Sequence, residues 1–149
     1  MNGKADYTTM VDIELESNIN FLVDSSPVEQ KSIIVRKSFQ FALNIVELYR
    51  FLTSDKKEYI LGKQILRSGT SVGAMVRESQ NAESKADFIH KLSVAQKECD
   101  ETCYWLELMF QSQIIPQQKF LELQTQAEEL LRILRSIIIT SKKNLNSKK

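Results

Sequence analysis

Glycine and proline are scarce, with four and two in 149 residues. That excludes a fold assembled from many tight turns and favours long helices. Histidine occurs once, at His90, and cysteine twice, at Cys99 and Cys103. These cannot supply the four side chains of a structural zinc site, and in a reducing compartment such thiols behave as small apolar groups. No apolar run approaches the ~20 residues that a membrane span requires. The first residues, MNGKADYTTMVDIELES, lack the basic start and apolar block of a secretory leader, so the expected location is cytoplasmic. A nucleophile–base set and a glycine-rich phosphate loop are also missing. The chain therefore reads as non-enzymatic, with no cofactor and no metal.

The formal charge of +1 is unevenly spread. Residues 1–30 hold six acids and one lysine, −5, and residues 31–77 hold nine bases and three acids, +6. Residues 78–141 hold six bases and ten acids, −4, and residues 142–149 add +4. A basic first half beside an acidic second half suits self-association or an anionic partner at one face.

The periodicity divides the chain into an acidic arm (1–26), a helical domain (27–141) and a basic disordered tail (142–149). In the arm, Ile13, Leu15, Ile19, Phe21, Leu22 and Val23 are able to dock as a short helix or strand. Ser26 as cap and Pro27 in the first turn open a helix to about Leu52. Ile34, Ser38, Phe41, Ile45, Leu48 and Leu52 recur on its inward stripe. Glu58 begins a second helix, with Leu61, Ile65, Ser68, Val72 and Met75 or Val76 inward. Its centre, Ser68–Ala74, is rich in small and β-branched residues. It is a poor isolated helix, but it permits close approach of a neighbouring backbone.

Ser84 and Asp87 form a capping box for a third helix, Lys85 to about Gln113. Phe88, Leu92, Ala95, Cys99, Thr102, Leu106 and Met109 make its seam. A fourth helix from near Pro116 aligns Phe120, Leu123, Ala127, Leu130, Leu134 and Ile137. The fold class is all-α, an antiparallel up-down four-helix bundle.

Three groups of residues bear on function. Gln64, Arg67, Ser71 and Glu78 share one side of the second helix. Arg67 and Glu78 are separated by roughly 16 Å along an ideal helix, so each needs a partner from another helix or subunit if buried. They are read either as polar fasteners of a helix junction or as nucleic-acid or catalytic groups. Trp105, late in the third helix with Tyr104 and Phe110 and on the flank of its seam, is read together with Glu107 as an interface residue, with base stacking the alternative for the aromatic rings. Arg36, Lys37, Arg50, Lys56, Lys57, Lys63 and Arg67 are the candidate nucleic-acid contacts, against the plain reading of a solvated face.

The run Gln64-x-x-Arg67-Ser68-x-x-Ser71-Val72-Gly73-Ala74, then Arg77-Glu78 and Ser84-Lys85-x-Asp87-Phe88-Ile89-His90-Lys91-Leu92, resembles the 23S rRNA-intervening-sequence family. Lys97-Glu98 and Glu101-Thr102-x-Tyr104-Trp105-Leu106-Glu107 extend the likeness. Where that family usually has Asn after Ser-Val-Gly-Ala, this chain has Met75. The resemblance implies a bundle assembled into a ring, typically a homopentamer. It also implies kinship with the accessory variability determinant proteins of diversity-generating retroelements, which pair such a ring with nucleic acid and a reverse transcriptase. The function expected on that basis is a non-catalytic RNA- or DNA-binding accessory protein. The alternative is a protein–protein adaptor that uses the acidic arm and basic tail for docking.

Overall fold

The structure, a computed structural model, describes residues 26–147, the side chains of 27–32 excepted. Four helices follow in order: α1 (Pro27–Ser54), α2 (Ile60–Ser79), α3 (Lys85–Gln111) and α4 (Gln117–Asn146). Each packs on the next and α4 closes against α1. This is the up-down bundle that short links between amphipathic helices produce. The acidic arm lies outside the described residues, save Ser26.

All six inward residues of α1 are buried, as are Ile65, Ser68, Val72 and Val76 of α2. On α3 the seam starts one residue later than the periodicity suggests: Ile89 is buried and Phe88 only half-buried. The rest of that seam is fully enclosed from Leu92 to Met109. Phe120 of α4 is likewise half-buried. Its ring stacks on Phe110 at 4.5 Å and 6° between planes, fastening the α3–α4 turn.

The helix ends obey local chemistry. Glu58 is a cap rather than the first helical residue, its Oε1 accepting from the N–H groups of Ile60 (3.1 Å) and Leu61 (3.0 Å). Those donors have no partner within the helix. Ser84 Oγ accepts from Asp87 N–H at 3.0 Å, and Asp87 Oδ2 accepts in return from Glu83 N–H at 3.1 Å. This is the expected box, shifted by one residue on the return bond.

The expected tail is corrected in part. Residues 142–146 continue α4, where Leu145 packs against the core and Lys143 lies in the last turn, a position that favours a cation.

Candidate functional site

The polar residues of the α2–α3 junction pair across it at three places. Arg67 spans the interface, one guanidinium nitrogen bonded to Glu101 and the other 3.2 Å from Glu98 Oε2. Trp105 Nε1–H donates to the same Glu101 oxygen at 3.1 Å, which fixes the half-buried indole on the flank of α3. One residue further along each helix and on the inward side, Ser68 Oγ and Thr102 Oγ1 meet at 2.9 Å, both fully buried. At the far end of α2, Glu78 pairs with Lys91 at 3.4 Å. Arg67 and Glu78 thus each draw a partner from α3, and the spacing of three and four along both helices brings these side chains onto facing edges. Ser71 bonds its own helix, Oγ to Arg67 O at 2.7 Å, while Gln64 and Glu107 are exposed and stand outside these pairings.

The Arg67 hydrogen bond, and after it the Trp105 bond, hold the Glu101 carboxyl below its ordinary range. A depressed folded value means that the pairing stabilises the fold above the ordinary carboxylate value of ~4.3 and is lost as pH falls through the lower one. With side chains 50% and 35% exposed, solvent screening limits the contribution to less than ~1 kcal/mol. Arg67→Gln is therefore expected to lower the melting temperature near neutrality by at most about 4 °C. It should also flatten the decline of melting temperature below about pH 5. Melting curves of both proteins across pH 2–7 check this.

The glycines of the Ser68–Ala74 run let α1 approach. A Cβ on Gly69 would fall 2.7 Å from Ile45 Cγ1, and one on Gly73 would fall 3.1 Å from the Ser38 carbonyl oxygen. Met75 is half-buried against the core, so the apolar group at that position has a packing partner.

The seven cations singled out in the sequence do not converge. Lys37 turns toward α4 and pairs with Glu129 at 2.8 Å, and Arg67 is taken up at α2–α3. Lys56 and Lys57 sit in the α1–α2 turn, Lys56 over the Phe51 ring together with Lys119 of α4. Arg36, Arg50 and Lys63 are exposed on the outward side of α1–α2, with no ion pair among the described residues. Arg77 joins them, its guanidinium 5.4 Å from the centre of the Phe39 ring. The sequence reading passed over Arg77, although its spacing from Lys63, two full heptads, places both on one stripe.

An open cleft of about 370 Å³ lies between the α2–α3 link and the end of α4, lined by Ser79, Ser84, Lys85, Phe88, Thr140 and Asn144. It contains no acid–base pair. Among the described residues no three His, Cys, Asp or Glu side chains gather at metal-binding distance. No described helix is long and apolar enough to cross a membrane.

Fold and junction together define an all-α four-helix bundle in which polar residues fasten α2 to α3. A profile of the 23S rRNA-intervening sequence protein family matches residues 30–136, and the chain belongs to that family. It is similar to a crystal structure of a protein of unknown function from the S23 ribosomal protein family of Bacteroides thetaiotaomicron VPI-5482. The two are 45% identical with a TM-score of 0.72, over 73% of this chain and 97% of that one. No curated protein matches.

Proposed function

We propose that this protein is a non-catalytic, cytoplasmic accessory protein that binds RNA or DNA as a homo-oligomeric ring, through the outward face of α1–α2. The observation that carries the reading is a contrast between cations. Those between helices, Lys37, Arg67, Lys91 and Arg135, all face carboxylates. Arg36, Arg50, Lys63 and Arg77 share one exposed face and have no ion pair among the described residues. Four uncompensated cations suit a phosphate backbone, and a ring that repeats them multiplies a weak contact into a useful one.

Ring formation draws on Tyr104, 56% exposed beside Trp105, and on Ile60, 76% exposed at the same end of the antiparallel α2–α3 pair. The retroelement likeness makes a reverse transcriptase the first protein partner to try. The adaptor reading draws on a different observation, the exposure of Phe39 and Leu43 at the centre of the basic face, since apolar groups suit a protein partner.

Light scattering should give a mass several times the 17.2 kDa of one chain. Anisotropy titrations with structured RNA and single-stranded DNA should show little sequence preference. The log–log slope against salt should be about −3 per engaged face, from four cations at ~0.7 each on a single strand. A monomer that binds neither probe at low salt would turn the assignment to the adaptor.

A further inference from the structure

The chain has two thiols, and both lie on α3, one helical turn apart. Cys99 is fully enclosed in the seam, its Sγ–H donating to the Ala127 carbonyl of α4 at 3.4 Å. Cys103 is half-buried at the edge of that seam, in hydrogen-bonding reach of Cys99. Neither takes part in the α2–α3 junction or in the outward face of α1–α2.

The helix sets what this pair can do. Side chains four apart share a face, with Cβ atoms about 5–6 Å from each other. A disulfide needs about 3.5–4.5 Å between the same atoms. The intact helix therefore keeps the two sulfurs from joining directly, yet leaves them placed to bond one atom between them.

The surroundings select that atom. Among the described residues no group of three His, Cys, Asp or Glu side chains gathers around the pair, which excludes ions that need three or four such ligands. A soft univalent ion would leave a bis-thiolate with net negative charge. Burial opposes an anion at Cys99, and Asp100 and Glu128 oppose one at Cys103. What suits the pair is an electrophile that takes two sulfurs and yields a neutral product. A linear Hg(II) bridge would set the sulfurs on opposite sides of the metal. Pyramidal As(III) holds both on one side, as the helix does.

We propose that Cys99 and Cys103 form a binding site for monosubstituted trivalent arsenicals, R–As(OH)2, held through arsenic across one turn of α3. Two As–O bonds break and two As–S bonds form, each thiol proton leaving with a hydroxide as water. Arsenic stays trivalent and the bound group is uncharged. Cys103, the more accessible thiol, bonds first. Cys99 then closes the ring and gives up its hydrogen bond to Ala127. The second bond forms at the high effective concentration of a tethered neighbour, which makes the pair bind far more tightly than either thiol alone.

Phenylarsonous acid, the form of phenylarsine oxide in water, tests this with the folded, reduced full chain and intact-mass spectrometry. One phenylarsenic group should add per chain with loss of two hydrogens. The helical circular dichroism should be retained, and Cys103 should become resistant to iodoacetamide. Cys99→Ala and Cys103→Ala should each weaken binding about a hundredfold or more. Cys103→Ala combined with Glu107→Cys keeps two thiols but sets them about 12 Å apart along the helix. It should bind as weakly as the single-thiol variants. The proposal is overturned if the parent binds no better than Cys103→Ala, or if the Glu107→Cys double variant binds like the parent. An adduct that forms only with loss of the helical signal overturns it too. No readout involves nucleic acid, so the outcome is independent of the polyanion titrations.

Discussion

Cys99→Asp is expected to cost about 3–5 kcal/mol, a large share of the ~5–15 kcal/mol that holds a domain of this size folded. Cys99 is fully buried in the α3 seam, its thiol donating to the Ala127 carbonyl at 3.4 Å. The neighbouring Cys103 thiol and burial together push the Cys99 thiol well above its ordinary range, so this site already opposes an anion. Arg135 favours an anion at this site, but it is half-exposed beside Asp100, whose like charge opposes one. Cys99→Ala, which deletes only a sulfur atom, should cost far less, about 1 kcal/mol. Urea unfolding followed by circular dichroism separates the two. Equal midpoints for Cys99→Asp and the parent would refute the enclosed seam.

The second large effect is expected at Gly69. A Cβ there meets Ile45 at 2.7 and 2.9 Å, at both γ carbons of a fully buried, β-branched side chain. Ile in a helix has one strongly preferred rotamer, so it cannot swing aside. The α1–α2 pair must move apart instead. Gly69→Val should therefore cost roughly 3 kcal/mol by overpacking. Gly62 is the control: its nearest neighbour, Tyr49 Cδ2, would lie 3.4 Å from an added Cβ, an ordinary contact. Gly62→Ala should stabilise by up to about 1 kcal/mol through helix propensity. Thermal melting of the two variants should move in opposite directions, and a loss at Gly62 as large as that at Gly69 would remove close approach as the role of this run.

Most of the fold was legible because it rests on period alone. The α1 stripe from Ile34 to Leu52 and the α3 seam from Leu92 to Met109 need only the recurrence of apolar residues to be found. The departures occur where period gives no guidance. Phe88 and Ile89 are both large and apolar, and which one enters the core depends on the angle at which α3 meets the bundle. Residues 142–146 look like a charged tail, but Leu145 has a landing place that only the packed structure supplies.

The junction was half legible. That Arg67 and Glu78 cannot pair with each other follows from their separation. That their partners are Glu98, Glu101 and Lys91 depends on the register of α2 against α3, which no single-helix pattern encodes. The basic surface was the least legible part. Charge counts along the sequence put Lys37 and Arg67 beside Arg36 and Lys63, whereas the structure turns the first pair toward carboxylates and leaves the second pair facing outward.

We propose a division of labour: residues between helices hold the bundle together, and the outward α1–α2 face is the proposed contact with nucleic acid. The most direct measurement compares two variants in one pair of assays, thermal melting and anisotropy titration with structured RNA at low salt. Cys99→Ala, in the α3 seam away from that face, should melt earlier and, below its transition, bind with the parent's affinity. The fourfold variant Arg36→Glu, Arg50→Glu, Lys63→Glu, Arg77→Glu should melt with the parent and bind no RNA. Binding that survives the fourfold reversal would contradict the account.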